Sequence, residues 1–231
     1  MLRLTSPAGE VHYLKAVRRG HYPSAEAEAA RTIWARSFLP VPRVLRHGVT
    51  GETTWLATAG IEALDATAAV FRRNVADTVD RLAEGLRRFH CAPVGQCPFQ
   101  FRVRDALEHV EQRRAAGHIN AARDFHSEFA SLTVDAAIQQ LVDSAPDDED
   151  LVVCHGDYCV PNVLLRDSEV AGYVDLGELG VADRWWDLAV ATWSLQWNFG
   201  PGFENQFLHT YGIEKDPIRI RFYRLLYDLA S

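Results

Sequence analysis

Hydrophobic and polar positions alternate near the start of the chain with the period of two that a half-buried strand shows. Two runs of this kind, "MLRLT" and "EVHYLKAV", are separated by the proline–glycine turn "SPAG", and they predict two short strands. In the second run Val11, Tyr13 and Lys15 share one face, and the residues between them share the other. We therefore expect a small sheet at this end of the chain.

The next segment, "SAEAEAARTIWARSF", is rich in alanine and predicts a helix. Ser24 stands at its N-cap position, and Glu26 and Glu28 follow in the first turn, where acids stabilise a helix. Pro40 and Pro42 prevent the helix from continuing. An extended segment, "LPVPRVLRHG", and another strand, "TTWLATA", are predicted to complete the small sheet.

From about Ala68 the apolar residues recur at helical spacing, first in "VFRRNVADTVDRLAEGLRRFH". Five further helices are predicted, in "VRDALEHVEQRRAA", "TVDAAIQQLVDSA", "DRWWDLAVATWSLQW", "GFENQFLHTYG" and "DPIRIRFYRLLYDLA". The pattern predicts an α+β protein of two lobes. A small antiparallel-sheet lobe would span residues 1–62 and a larger, mostly helical lobe residues 63–231, with "GIEALDAT" near their junction.

A polar turn interrupts the apolar stretch "LVVCHGDYCVPNVLL", and "NVLLRDSEVAGYVDLG" then predicts a β-hairpin. A hairpin centred between Ser168 and Glu169 would pair Asn162 with Asp175. An amide oxygen and a carboxylate side by side form a hard-oxygen site suited to Mg²⁺ that carries phosphates. Asp157, on the loop that enters the hairpin, can face the same place as a proton acceptor.

The composition limits the classes of partner. The formal charge of −7 and the pI of about 5.7 argue against a nucleic-acid binder and are compatible with cationic ligands. The four cysteines lack the spacing of a zinc site, and they are too few to cross-link a chain of this size, which indicates a reducing compartment. The start of the chain has no apolar leader, and no apolar run approaches membrane-spanning length. We expect a cytoplasmic protein, monomeric or homodimeric, without a membrane partner.

Asp157, Asn162 and the "DLG" that starts at Asp175 resemble the catalytic loop and D-F-G pattern of the protein-kinase fold. The fuller wording, "CHGDYCVPNVLL…GYVDLGELGVADRWWDLA", is similar to the aminoglycoside phosphotransferases, and in particular to their 3′-phosphotransferase group. The similarity runs nearly end to end, through "YLKA", "EAARTIWA", "LPVPRVL", "LRRFHCAPVGQCPF" and "RIRFYRLLYDLAS". It implies a two-lobed protein-kinase-like fold whose N-terminal lobe binds the nucleotide.

The resemblance also implies roles for single residues, with ATP and Mg²⁺ as cofactors. Asp157 would orient or deprotonate the attacking hydroxyl, while Asn162 and Asp175 would bind magnesium. Lys15 would hold the nucleotide phosphates and pair with Glu28 of the first helix. Since phosphoryl transfer needs mainly positioning and neutralisation of charge, this short list could suffice.

Residues around the loop are expected to be structural. His155 would shape the loop through hydrogen bonds, and Asp187 in "WWDLA" would hold it from a helix. Trp185 and Trp186 are predicted to lie in the core.

A polycationic aminoglycoside requires clustered carboxylates. The predicted acceptor contacts are Asp124, Glu128, Glu178 and Asp228. The resemblance is weaker on this side, because the 3′-phosphotransferases usually have arginine where this chain has Glu178. They also have an acidic residue where this chain has Tyr227.

The family also has a strand and a flexible loop over the nucleotide phosphates before its lysine strand. "MLRLT" corresponds to the second strand of that sheet, so the N-terminal lobe is expected to lack the first strand and the phosphate loop. Gly9 lies in the later turn and cannot substitute for that loop.

Four functions follow from these features. The first is ATP-dependent phosphorylation of an aminoglycoside hydroxyl, most directly the 3′-hydroxyl, which would confer antibiotic resistance. The second is phosphorylation of another small polar alcohol, and the third is an inactive nucleotide-binding remnant. The fourth, a metal-dependent phosphoesterase built on His155 and Asp157, would need further ligands at metal-site spacing, and the other histidines are scattered along the chain.

Overall fold

The computed structural model describes residues 1–20, 22–167 and 169–230. Its N-terminal part is a four-stranded antiparallel sheet with the strand order β1-β2-β4-β3 and one helix packed on it. The elements are β1 (Leu2–Thr5), β2 (Val11–Arg18), α1 (Ala25–Ala35), β3 (Val44–Thr50) and β4 (Thr53–Ala59). The strands and the helix predicted for this part of the chain are confirmed.

Helix α1 begins where the sequence predicted. The Ser24 hydroxyl oxygen accepts a hydrogen bond from the Ala27 N–H at 3.1 Å, which satisfies one of the free donors at the helix start. Ala25 and Ala29 are buried on the inner face together with Leu56 of β4. The same face carries Glu28, which is 6% exposed. The packing of α1 on the sheet thus places a carboxylate beneath β2.

The larger part of the chain is mostly helical, as predicted. Its elements are β5 (Leu64–Asp65), α2 (Val75–Phe89), α3 (Val103–Ala115), α4 (Ala121–Asp124), α5 (Val134–Asp143), β6 (Leu151–Cys154), β7 (Val163–Arg166), β8 (Glu169–Tyr173), β9 (Gly180–Asp183), α6 (Trp185–Phe199), α7 (Glu204–Tyr211) and α8 (Pro217–Ala230). The α+β class is therefore confirmed. The two-residue β5, the strand β9 and the single turn α4 were not predicted, because each is too short to show a period.

Two small sheets position the polar turn. Strands β5, β7 and β8 form one antiparallel sheet, and β6 pairs with β9 in the other. The chain leaves β4 at Ala59 and joins the second-lobe sheet at Leu64, which pairs with Leu165. The predicted lobe boundary at residue 62 lies in this connection and stays a prediction.

The predicted register of the hairpin is wrong by one residue. Arg166 pairs with Glu169, so the turn is centred one residue earlier than the predicted centre between Ser168 and Glu169. Ser168 itself lies outside the described residues. Asp167 in this turn has φ 51°, in the left-handed region that tight hairpin turns require. An irregularity between Leu164 and Leu165 then shifts the register by one residue towards the predicted pairing, because Leu165 pairs with Val170 but Leu164 pairs with Gly172. As a result the Asn162 carbonyl accepts a hydrogen bond from the Val174 N–H at 3.0 Å, and Asp175 lies one position beyond.

The main core lies between the second-lobe sheets and the surrounding helices. Helix α2 contributes a stripe of buried apolar residues that includes Leu82, Leu86 and Phe89. Trp185 and Trp186 are buried as predicted, at 5% and 2% exposed. Burying each of these large side chains contributes about 2 kcal/mol or more to folding, and the result is a rigid base under the polar turn.

No helix in the described part of the chain is both long enough and apolar enough to cross a membrane.

Candidate active site

The polar turn after β6 is held from below by one buried carboxylate. Asp187, at the start of α6, accepts hydrogen bonds from the N–H groups of His155 and Gly156 at 2.7 and 2.9 Å. Oδ2 of Asp187 also lies 3.0 Å from Nε2 of the His90 ring. Asp187 is fully buried, so these partners replace the water that its charge would otherwise require. The structural role predicted for Asp187 is confirmed.

Gly156 is required where it stands. Its φ is 89°, and a Cβ at this position would come within 2.5 Å of the Glu178 Cβ and 2.7 Å of the Glu178 carbonyl oxygen. The turn therefore packs directly on the segment that follows the hairpin. His155 closes the turn from the other side, since its Nε2 lies 3.0 Å from the Val174 carbonyl oxygen, as its predicted structural role requires.

Asp157 follows this glycine, and its carboxylate is surrounded by hydrogen-bond donors. Oδ2 accepts from the Asn162 side-chain amide at 2.8 Å. Oδ1 accepts from the Tyr227 hydroxyl at 3.1 Å and from the Cys159 thiol at 3.0 Å. Tyr227 belongs to α8, seventy residues further along the chain. The contact of Tyr227 with Asp157 was not predicted, because the sequence indicated only that Tyr227 replaces an acidic residue of the similar enzymes.

Lys15 joins the two lobes. Its ammonium group lies 2.7 Å from Glu28 Oε2 and 2.7 Å from Asp175 Oδ1. Burial by itself would lower the pKa of Lys15, but the charges and hydrogen bonds of Glu28 and Asp175 outweigh it and raise that pKa. Burial raises the pKa of Glu28, and the charge of Lys15 opposes this increase. The lysine is therefore held in its charged form between two carboxylates.

These residues line one cavity of about 470 Å³ between the sheet of the first lobe and the hairpin of the second. Its wall combines apolar side chains of β4 and the hairpin with four of the predicted site residues, Lys15, Glu28, Asn162 and Asp175. A larger and more open cavity of about 1050 Å³ lies beside the interlobe connection, and none of the predicted site residues is among those that line it. Size alone therefore does not mark the site, whereas the convergence of charged groups does.

Asp175 adopts an unusual backbone conformation, with φ 59° in a residue other than glycine. Such a conformation costs about 1–3 kcal/mol and occurs preferentially at functional sites. One consequence is that Oδ1 of Asp175 reaches Lys15 across the cavity.

The cavity offers an oxygen pair that could hold a divalent cation. The Asn162 amide nitrogen donates to the backbone oxygen and to Oδ2 of Asp157, at 3.0 and 2.8 Å, so the amide oxygen lies on the opposite side of the group. Asp175 binds Lys15 through Oδ1 and presents a second oxygen, Oδ2. Both side chains line the same cavity. Amide and carboxylate oxygens are the ligands that Mg²⁺ prefers, and this donor set fits that ion.

Glu178 lies against the polar turn, where it packs on Gly156. Its pKa is raised to about 8, mainly by burial and then by the negative charge of Asp157. Arg31 and Arg113 oppose the increase. Burial and the negative charge of the Glu178 carboxylate raise the pKa of Tyr22 to about 12.

The other three carboxylates predicted for the acceptor are engaged within the protein. Asp124 accepts from the Asn120 N–H at 2.7 Å and pairs with Arg123. Burial would raise the pKa of Asp124, but these hydrogen bonds outweigh it and lower that pKa. Glu128 pairs with Arg221 and Arg224 at 3.1 and 3.4 Å.

Asp228 is buried, and both of its oxygens bind His126. Oδ2 accepts from the His126 N–H at 2.8 Å, and Oδ1 lies next to the ring Nδ1. The His126 ring stacks on Trp197, with centroids 4.5 Å apart and planes at 13°. In this geometry Asp228 fixes an aromatic pair. Because the sequence does not show which partner a carboxylate meets, this use of Asp228 could not be predicted. Its acceptor contact stays a prediction, as do those of Asp124 and Glu128.

Comparison with known proteins decides the family. A model of the phosphotransferase enzyme family matches residues 3–223. The chain belongs to this family. The resemblance predicted from the motifs is thereby confirmed, and so is the enzyme class. Asp157, Asn162 and Asp175 all lie within the matched residues.

Three relatives of this phosphotransferase share most of its length. It is 36% identical, over 93% of its own chain and 84% of the relative, to an aminoglycoside 3′-phosphotransferase of Streptomyces fradiae. The crystal structure of an aminoglycoside-3′-phosphotransferase of type VIII superposes with a TM-score of 0.90 and 32% identity, covering 98% of this chain and 87% of the other. An aminoglycoside phosphotransferase of Streptomyces rimosus, in complex with ADP and streptomycin, gives a TM-score of 0.81 and 29% identity, covering 98% and 89%. The predicted two-lobed, kinase-like fold is confirmed.

Replacing Glu178 with glutamine is expected to raise the melting temperature at pH 9 and to leave it nearly unchanged at pH 5. The folded pKa of about 8 lies above the ordinary 4.5. The unfolded chain therefore releases this proton first, and stability falls as the pH rises from about 4.5 to about 8. Glutamine has no charge to desolvate, so the variant avoids this loss. Thermal unfolding at both pH values measures the effect.

Glu128→Gln is the matched control, because it removes a carboxylate that is paired with two arginines. It is not expected to stabilise the protein at pH 9. An equal melting temperature of the Glu178 variant and the wild type at pH 9 would contradict the environment assigned to Glu178.

Proposed function

We propose that the protein is an ATP-dependent O-phosphotransferase that modifies a hydroxyl of an aminoglycoside, most directly the 3′-hydroxyl, and thereby confers antibiotic resistance. The observation that carries the proposal is that Lys15, Asn162 and Asp175 line one cavity, where Lys15 binds Asp175 and Asn162 donates to Asp157. This arrangement places a cavity suited to phosphates next to a carboxylate suited to accept a proton. The similarity to aminoglycoside 3′-phosphotransferases supports the choice of acceptor.

The nucleotide is proposed to bind in the cavity between the lobes. Lys15 would hold its phosphates, and Glu28 would keep the lysine in place through their 2.7 Å ion pair. The wall of the cavity is part apolar, with Leu56 of β4 and Leu176 after the hairpin, which suits a flat base. ADP in the relative from Streptomyces rimosus supports ATP as the donor. We place the reaction in the cytoplasm, where ATP is available.

Magnesium is proposed to be held by the amide oxygen of Asn162 and by Oδ2 of Asp175. When bound, the ion would neutralise charge on the transferred phosphoryl group. The backbone strain at Asp175 supports a functional role for this carboxylate, since strain of this kind persists where the surroundings enforce it.

Asp157 is proposed to accept the proton of the acceptor hydroxyl. As the hydroxyl oxygen forms its bond to the γ-phosphorus, the bond from that phosphorus to the bridging oxygen of ATP breaks. ADP leaves with the electron pair, and the hydroxyl proton passes to Asp157. The donors around Asp157 hold its carboxylate in one orientation, which reduces the entropy lost in reaching the reactive geometry.

The acceptor is proposed to lie on the Glu178 side of Asp157. Glu178 would bind an ammonium group of the aminoglycoside. Asp124, Glu128 and Asp228 belong to the same proposed acceptor region, and binding there would require them to exchange their present partners.

Purified protein tests the proposal with MgATP and one member each of the kanamycin, neomycin and streptomycin classes. We expect ADP release that depends on the acceptor, and a phosphate monoester whose position NMR assigns to the 3′-hydroxyl. Removal of Mg²⁺ with EDTA should stop turnover and excess Mg²⁺ should restore it. Phosphorylation of none of the three acceptors would refute the proposed substrate class.

A second candidate is a kinase of another small polar alcohol. The observation that favours it is the engagement of three of the four predicted acceptor carboxylates by arginine or histidine. A polycation would have to displace these partners, whereas an acceptor with one amino group would need Glu178 alone. ADP release with monocationic amino alcohols but with no aminoglycoside would select this candidate.

A further inference from the structure

Helix α8 supplies a hydrogen bond to the carboxylate that the proposed reaction uses as a base. The Tyr227 hydroxyl donates to Oδ1 of Asp157 at 3.1 Å, and the Cys159 thiol donates to the same oxygen at 3.0 Å. The Asn162 amide donates instead to Oδ2, at 2.8 Å. The two oxygens of Asp157 therefore differ in their surroundings.

The two oxygens of Asp157 also differ in how many lone pairs are free to accept a substrate hydroxyl. A carboxylate oxygen offers about two acceptor positions. Both positions on Oδ1 are taken, by the tyrosine and by the cysteine. Within the described residues, Asn162 is the side chain that donates to Oδ2. A further hydroxyl is therefore best accepted at Oδ2, beside the Asn162 side chain, which lines the cavity between the lobes.

Contacts at the C-terminal end of α8 fix the position of Tyr227 next to Asp157. The neighbouring Asp228 binds the N–H and the ring of His126. Two residues later the Ala230 carbonyl oxygen lies 3.1 Å from the Nε2 of His109. These contacts hold the last turn of α8 against two other segments, so the position of the hydroxyl is determined by the fold.

The phenol also stays protonated under ordinary conditions. Burial raises the pKa of Tyr227 well above its usual value, and the negative charge of Asp157 raises it further. At neutral pH Tyr227 therefore keeps its proton and donates it to Asp157.

We propose that Tyr227 is a positioning residue: its hydroxyl occupies Oδ1 of Asp157, so that the acceptor hydroxyl is received at Oδ2 beside Asn162. This inference rests on the proposed phosphotransfer by Asp157. Without the tyrosine hydroxyl, one acceptor position on Oδ1 becomes free, so the substrate hydroxyl can be accepted at either oxygen. Only one of the two arrangements directs the hydroxyl oxygen at the γ-phosphorus.

Tyr227→Phe is the test, because it removes the hydroxyl and keeps the ring. We expect kcat to fall about 10- to 100-fold, as the loss of one hydrogen bond to a charged group implies. The KM for MgATP should stay within about twofold of the wild type, because Lys15 and Asp175 are untouched. A loss confined to kcat distinguishes positioning from general damage to the fold.

Tyr173→Phe is the matched control. Its hydroxyl is also buried and donates to the Gly85 carbonyl oxygen at 2.9 Å, away from Asp157. We expect it to lower the melting temperature as much as Tyr227→Phe does, or more, while kcat is unchanged. The pair of variants separates the loss of a buried hydrogen bond from the loss of the contact with Asp157.

Three outcomes would overturn the inference. Wild-type kcat in Tyr227→Phe would show that the hydroxyl does not position the base. Equal losses of kcat in both variants would show a structural effect only. Absence of turnover in the wild type with every acceptor would refute the proposed function and this inference with it, whereas an active wild type makes the comparison decisive.

Discussion

Asp157→Asn is expected to lower kcat by at least about a hundredfold, while the affinity for MgATP changes little. Asparagine has nearly the same shape as aspartate, but its amide cannot take up the proton of an attacking hydroxyl. The nucleotide phosphates are proposed to contact Lys15 and Asp175, which the substitution leaves in place. Turnover under saturating substrates gives kcat, and isothermal titration with ADP and Mg²⁺ gives the affinity.

The control for this variant is Asp143→Asn, at the end of α5, where the side chain accepts from Gln139 on the surface. It should show wild-type kinetics. If Asp157→Asn keeps wild-type kcat, the proton acceptor is another group. If it loses ADP binding as well, the residue belongs to the nucleotide site instead.

Asp187→Ala is expected to lower the free energy of unfolding by about 3 kcal/mol or more and to abolish activity. Asp187 is fully buried and accepts from two backbone N–H groups and lies 3.0 Å from His90. Alanine leaves these buried donors without a partner, and each costs about 1–3 kcal/mol. Since two of them belong to the turn before Asp157, the turn loses its shape as well. Urea denaturation measures the free energy of unfolding.

Asp135→Asn provides the comparison for Asp187. Its carboxylate is 79% exposed and pairs with Arg114 on the surface, so we expect a change below about 1 kcal/mol. Wild-type stability of Asp187→Ala would mean that the turn is held by other contacts. A stable variant with normal kcat would also remove Asp187 from any role in placing Asp157.

The helices and most strands were predictable, because their signals are local. Apolar spacing in α2 and in α8 follows the helical period, and Ser24 marks the start of α1 by its capping hydroxyl. The alternation in β2 placed Lys15 on the face that lines the cavity. Such patterns depend on residues a few positions apart, and the chain itself specifies them.

The register of the hairpin could not be predicted from local sequence patterns. The apolar runs predicted both strands, but the pairing of Asn162 with Asp175 was wrong by one residue. A strand register depends on the turn geometry and on irregularities in the ladder, and neither is visible in a pattern with a period of two. The two side chains line the same cavity because Asp175 adopts a left-handed backbone conformation beyond the last pair.

The partners of the predicted acceptor carboxylates were the feature least predictable from the sequence. Four carboxylates were predicted there from the resemblance, and three of them have arginine or histidine partners from distant parts of the chain or from the same turn. Tyr227 reaches Asp157 from seventy residues away. A side chain's charge is a property of the sequence, whereas its partner is a property of the packing.

The sequence by itself determined the α+β class, the lobes' main elements and the family, and it predicted the residues of the candidate site. These follow from periodic patterns and from motifs whose spacing is short. Only the tertiary structure decided which donors each oxygen of Asp157 meets, which carboxylates are already paired, and how Lys15 connects the lobes. The reason is physical: hydrogen bonds and ion pairs act over about 3–4 Å, and only folding brings residues from distant parts of the chain within that range.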